Sequence, residues 1–157
     1  MATTPAVDRG TIRRAIVDTN VLLAATDEGR ADHDAAIESL NAWPRIGLTA
    51  YTSGQILREY LSVATRPVAH NGLGMDRRAA LANVRQLRAR LHLLAENEKV
   101  ADRLMELLDA VECTGKQVHD ANVVATALVH GIDTIITLNV GDFARFSGHL
   151  RALGLRP

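Results

Sequence analysis

Four carboxylates stand out for the segments that hold them: Asp18 in AIVDTNVLLAAT, Glu59 in GQILREYLSVATRP, Asp120 in VHDANVVATAL and Asp142 in TLNVGDFARF. Carboxylates that share a pocket repel one another, and each raises the cost of ionising the next. A fold that gathers several of them needs a cation to hold the set together. Mg²⁺ and Mn²⁺ suit an all-oxygen donor set, because they keep several waters and need few protein ligands. The chemistry that follows is metal-assisted hydrolysis of a phosphodiester, in which an ion lowers the pKa of a bound water and a second ion stabilises the leaving oxygen.

Each acid taken alone has a commoner role. An Asp after a strand is often a helix cap, and Glu59 alone reads as a solvated helix residue. Asp120 alone is a candidate N-cap, and Asp142 is a loop residue beside Gly141. Whether they form a site depends on the elements that carry them.

Ala15–Val17 is a short apolar run that predicts a strand ending at Asp18. Thr19 and Asn20 open a helix that breaks at residues 27–29. A second helix covers 32–42 and is closed by Trp43 and Pro44; a strand is expected over 46–50. Ser53 caps a helix through GQILREYLSVAT, with Ile56, Leu57, Tyr60, Leu61 and Ala64 at helical spacing. Residues 67–74 read as a loop. An arginine-rich helix starts at Met75, a short strand is expected over 92–95, and Asn97 or Glu98 opens a helix that Gly115 ends. A further helix is expected from His119 or Asp120 to His130, then a strand over 134–138 and a loop over 139–146. The tail GHLRALGLRP is not assigned an element.

Strands alternating with helices predict an α/β fold with a mainly parallel central sheet. In such sheets ligands bind beyond the carboxyl ends of the strands, at a topological switch point. Asp18 and Asp142 follow strands, so that mouth is where the four acids can meet.

The 157 residues suit one domain, 1–157, with residues 1–14 as a polar N-terminal extension. Lys plus Arg and Asp plus Glu both number 18, so the formal charge is zero and the chain as a whole is not a generic polyanion binder. The one cysteine, Cys113, excludes an intrachain disulfide and a Cys/His zinc motif, and it reads as a small core residue in a reducing cytoplasm. The first residues lack the apolar stretch of a secretory signal, and no apolar run reaches the length of a membrane span.

The segments IVDTNVLL, ILREYLSVATRP, HDANVVATAL and IITLNVGDFARF, in that order over residues 15–146, together resemble the PIN-domain ribonucleases, and within them the VapC-type toxins of bacterial toxin–antitoxin pairs. The resemblance implies a PIN-like α/β/α sandwich and a Mg²⁺- or Mn²⁺-dependent endoribonuclease acting on structured RNA such as tRNA or rRNA. It implies that Asp18, Glu59, Asp120 and Asp142 form the acidic metal-binding and catalytic cluster, supported by Asn20 and Thr137. It further implies a homodimer and a VapB-like antitoxin that inserts a peptide into the active-site groove. One position departs: many relatives carry another Asp where this chain has Asn139, a neutral and weaker ligand for a hard cation.

Arg77, Arg78, Arg85 and Arg88 fall within about a 100° arc of their helix and are candidates for RNA phosphates, as are Arg58 and Arg66. With 3% aromatic residues, base stacking cannot dominate recognition. His119 is read as an orienting residue next to Asp120. The helices over residues 76–112 are the expected interface with an antitoxin or a second copy. The alternatives are a stand-alone PIN nuclease for RNA processing and a catalytically weak PIN-like domain that binds RNA or protein. A phosphatase of the haloacid dehalogenase type needs a second Asp two residues after the first, and Asn20 stands there.

Overall fold

The computed structural model describes residues 12–155. Its centre is one five-stranded sheet: β1 (Arg14–Val17), β2 (Thr49–Ser53), β3 (His92–Leu94), β4 (Thr134–Ile136) and β5 (Arg151–Leu153). The order is β3-β2-β1-β4-β5 and every neighbouring pair is parallel. A parallel sheet covered on both faces needs near-continuous apolar strands at its centre. β1 and β4 supply them: Ala15, Ile16, Val17, Ile135 and Ile136 are all fully buried.

Six α-helices are found among the described residues: α1 (Thr19–Thr26), α2 (His33–Ala42), α3 (Gly54–Thr65), α4 (Arg77–Arg90), α5 (Glu98–Ala110) and α6 (Gln117–Val129). Parallel crossovers are right-handed. Those from β1 to β2 and from β2 to β3 step one way along the sheet, and the one from β3 to β4 steps back, so their helices cover opposite faces. Accordingly α1 packs on α2 and α3, and α3 on α4, while α5 packs on α6. The result is an α/β sandwich with the chain's reversal between β1 and β4.

Local chemistry explains most helix starts. Asp18, Ser53, Asp76 and Asn97 are N-caps whose side chains accept from backbone N–H groups at Thr19, Ile56, Arg78 and Val100. Four expectations need correction. The second strand lies at 49–53, not 46–50, because Trp43–Ile46 winds a 3₁₀ turn that Gly47 ends at φ 77°, leaving Ile46 65% exposed. The helix carrying Asp120 begins at Gln117, so Asp120 lies in its first turn and does not cap it. The 139–146 loop contains a 3₁₀ helix, Val140–Phe146. The unassigned tail forms β5, an edge strand held by its ladder to β4.

Residues 1–11 of the expected extension lie outside the described residues; Ile12 is buried and Arg14 opens β1. No helix among the described residues is long and apolar enough to cross a membrane.

Candidate active site

β1 ends at Val17, and the next backbone N–H, that of Asp18, donates to the Ile136 carbonyl at the end of β4 at 2.9 Å. Asp18 therefore stands at the switch point between the two halves of the sheet. Its Oδ1 accepts from the Thr19 N–H at 2.8 Å and caps α1; its Oδ2 accepts from the Thr137 hydroxyl at 2.8 Å. Both the capping role and a place in an acidic cluster thus fall to the same side chain.

Thr137 is fixed in turn. Its hydroxyl oxygen accepts from Asn20 Nδ2 at 3.2 Å and from the Asn139 N–H at 3.0 Å, while Asn20 Oδ1 accepts from the Leu138 N–H at 3.1 Å. Asn20 and Thr137 therefore stitch the end of β4 to the first turn of α1. Asn139 contributes its backbone to this net, and its side chain makes no hydrogen bond among the described residues.

Glu59 reaches the same mouth from α3. Its Oε2 accepts from the Thr19 hydroxyl and its Oε1 from Gln55 Nε2, each at 2.8 Å. Gln55 was not among the residues singled out from the sequence, yet it links α3 to α6. The same Nε2 donates to the His119 carbonyl at 3.0 Å, and its Oε1 accepts from Asn122 Nδ2 at 2.6 Å. It ties the start of α3 to the first turn of α6, one residue from Asp120. The signal was its place four residues before Glu59, one helical turn away on the same face. His119 takes part through its carbonyl.

The charges confirm the convergence. Burial first, then the charges of Asp18, Asp142 and Glu59, raise the Asp120 carboxyl to about 6 against the opposing charge of Arg145. The Asp18 carboxyl is also raised, first by burial and then by Glu59 and Asp142, against the hydrogen bonds from Thr137 and Thr19. Asp142 is carried on the 3₁₀ helix after β4, whose Phe143 and Phe146 are buried. Four elements bring four carboxylates within mutual electrostatic range.

Among the described residues no group of three or more His, Cys, Asp or Glu is placed to hold a metal ion. The donor set is nonetheless of the kind a hard cation takes: oxygen only, with one or two carboxylates and water completing the shell. A divalent cation here would also relieve the repulsion that raises Asp18 and Asp120.

This sets a sign for stability. A carboxylate whose folded pKa is raised destabilises the fold when ionised; the penalty is complete above the folded pKa and gone below the unfolded one. For Asp120 the window runs from about 6 down to its ordinary 3.8. A displacement of that size corresponds to roughly 3 kcal/mol, and about half of it is expected for a half-exposed group screened by solvent. Metal-free protein should therefore gain stability between pH 7.5 and pH 5 from this group. The gain should shrink in Asp120→Asn, and Mg²⁺ should raise Tm more at pH 7.5 than at pH 5. Thermal melts of both proteins with and without Mg²⁺ check this; equal pH responses would show that Asp120 carries no such penalty.

The sequence-selected arginines are placed less centrally. Arg77, Arg78, Arg85 and Arg88 are exposed on α4, and their guanidinium groups make no hydrogen bond or ion pair among the described residues. Arg66 Nη2 donates to Ser62 Oγ at 3.4 Å, and Arg58 faces Glu96 at 3.9 Å. Trp43 and Cys113 belong to the core or pack against it. A groove of about 390 Å³ between α1, α2 and α4 includes none of the four acids.

Comparison with known proteins completes the description. The family model of the PIN domain matches residues 15–148. VapBC2 from Rickettsia felis, solved bound to a promoter DNA fragment, superposes with a TM-score of 0.70 at 16% identity, covering 90% of this chain and 98% of that one. A toxin–antitoxin complex from Klebsiella pneumoniae gives 0.61 at 23% identity, covering 90% and 97%. The sarcin–ricin-loop-cleaving toxin VapC20 of Mycobacterium tuberculosis gives 0.61 at 19% identity, covering 87% and 95%. At these identities the likeness is one of fold. Comparison with curated proteins returned no match.

Proposed function

The chain belongs to the PIN-domain family, and from that premise we propose that it is a Mg²⁺- or Mn²⁺-dependent endoribonuclease, the toxin of a VapBC-type pair. One observation carries the reading: at the sheet's switch point, the charges of Asp18, Glu59 and Asp142 all act on Asp120. An uncompensated set of this kind is costly to keep unless it holds a cation. The toxin role is supported by structural neighbours that include toxin–antitoxin complexes, and the choice of structured RNA by a neighbour that cleaves the sarcin–ricin loop.

Asp18 and Asp120 would hold the ion, with Asp142 on the open side of the mouth. A Mg²⁺ or Mn²⁺ bound there would acidify a water and neutralise charge on the phosphate. The protein's own part is positioning. Thr137 and the Thr19 N–H hold the Asp18 carboxylate in one orientation. Glu59, with both oxygens taken by Thr19 and Gln55, contributes charge and fixes the start of α1 against α3. With little else to do covalently, fixed charge and fixed geometry account for the rate. Asn139 leaves the one-ion and two-ion forms as alternatives.

The partners in this reading are an RNA substrate, a VapB-like antitoxin and a second copy of the chain, in the cytoplasm. The groove between α1, α2 and α4, with Ala25, Ile37, Leu40 and Leu87 on its walls, is the surface we assign to an apolar antitoxin segment. This includes part of the 76–112 stretch that amphipathicity had suggested.

The test is to incubate purified, antitoxin-free protein with total bacterial RNA and Mg²⁺ or Mn²⁺, with EDTA as control. Discrete fragments that disappear in EDTA are expected, and mapping their ends names the target. Folded protein that cuts nothing from this pool would overturn the nuclease reading in favour of RNA or protein binding alone. A neighbouring small open reading frame for an antitoxin separates the toxin from a stand-alone processing nuclease.

A further inference from the structure

Arg145 was not selected from the sequence, yet its charge reaches Asp120. It lies three residues after Asp142 in the 3₁₀ helix Val140–Phe146. With three residues per turn, side chains at i and i+3 eclipse one another. Phe143 and Phe146 form one such pair and are buried, with ring centroids 6.3 Å apart. Asp142 and Arg145 form the next pair, stacked on an exposed side of the same short helix.

The guanidinium is also held. Nη1 donates to the Glu112 carbonyl, just beyond the end of α5, at 3.1 Å. Nε and Nη2 make no hydrogen bond among the described residues. An arginine tied down by one nitrogen keeps a fork of donors in a fixed place, the geometry that suits a phosphate. Its charge reaches the cluster, since Arg145 opposes the other influences on Asp120. An RNA strand approaching four carboxylates meets repulsion, and a fixed cation beside them lowers it for a phosphate on that side.

We propose that Arg145 is a substrate contact of this site, binding the RNA phosphate next to the scissile bond; the inference rests on the nuclease reading above. Arg145→Gln removes the charge while keeping a donor for the Glu112 carbonyl, and Arg145→Lys keeps the charge without the fork. Cleavage of total RNA by each is compared with wild type. Binding of fluorescein-labelled bulk tRNA is measured against salt concentration, with each change placed in the inactive Asp18→Asn background. Arg145→Gln should lower kcat/KM by about ten-fold or more and reduce the salt dependence by about one phosphate contact. Arg145→Lys should restore that salt dependence. A folded Arg145→Gln protein that cleaves and binds like its parent would overturn the proposal. So would an Arg145→Gln protein that cleaves poorly yet binds tRNA with its parent's salt dependence, because no phosphate contact would then have been lost. A wild type that cleaves nothing defeats the nuclease reading instead, and the tRNA arm still decides on Arg145.

Discussion

Asp18→Asn should lower the kcat/KM of metal-dependent RNA cleavage by about 10³-fold or more while leaving the protein folded. An ion that stabilises transition-state charge is worth several kcal/mol, and each 1.36 kcal/mol is a factor of ten. Asp18 is fixed at both oxygens, by the Thr19 N–H and the Thr137 hydroxyl, where β1 meets β4. Exchanging its charge for an amide weakens the proposed hold on a hard cation. The fold should survive, because Asn caps a helix about as well as Asp; the loss falls on the Thr137 contact, whose hydroxyl already accepts from Asn20 and Asn139. Removing a carboxylate that burial and its neighbours disfavour should even raise the Tm of the metal-free protein. Cleavage rates, circular dichroism and Mn²⁺ titration of the variant measure all three effects. A folded Asp18→Asn protein that cleaves within ten-fold of wild type would take Asp18 out of the chemistry.

The second large effect is on stability and comes from Phe146→Ala. Phe146 is fully buried and packs with Phe143 under the turn that carries Asp142 and Arg145. Truncating a buried Phe costs about 3–5 kcal/mol in lost transfer energy and cavity, against a total stability of about 5–15 kcal/mol. The turn is short and 3₁₀, so its own hydrogen bonds hold it weakly; its two aromatic anchors hold it to the core. Urea denaturation should show the midpoint falling sharply, and at low temperature, where the variant remains folded, cleavage should fall as well because Asp142 and Arg145 lose their support. Phe146→Leu, which retains much of the apolar volume, should recover the larger part of both losses. A Phe146→Ala protein within 1 kcal/mol of wild type would show that Phe143 alone anchors the turn.

Much of the scaffold was legible because its signals are local. The AIV run before Asp18, the caps at Ser53 and Asn97 and the TII run of β4 depend on a few adjacent residues, and each lies where it was expected. The second strand was displaced by three residues because Ile46 reads as a strand residue until Gly47 is seen to end a 3₁₀ turn. β5 is three residues long, too short for any periodicity, and exists through its pairing with β4. The 139–146 segment read as a loop because the i, i+3 spacing of Phe143 and Phe146 spans a single turn.

The candidate site divides in the same way. The sequence alone determined the family resemblance, the α/β alternation and the four acids to examine, since strand ends and helix caps are written in neighbouring residues. Only the tertiary structure decided that the charges of Asp18, Glu59 and Asp142 all act on Asp120, that Gln55 bridges Glu59 to the start of α6, and that Arg145 rather than the α4 arginines acts on Asp120. The influences on Asp120 come from 22 to 102 positions away, and Gln55 reaches residues 64 and 67 positions on. Their existence depends on strand order and crossover direction, which bring distant helix ends to one edge of the sheet; no spacing along the chain encodes that meeting.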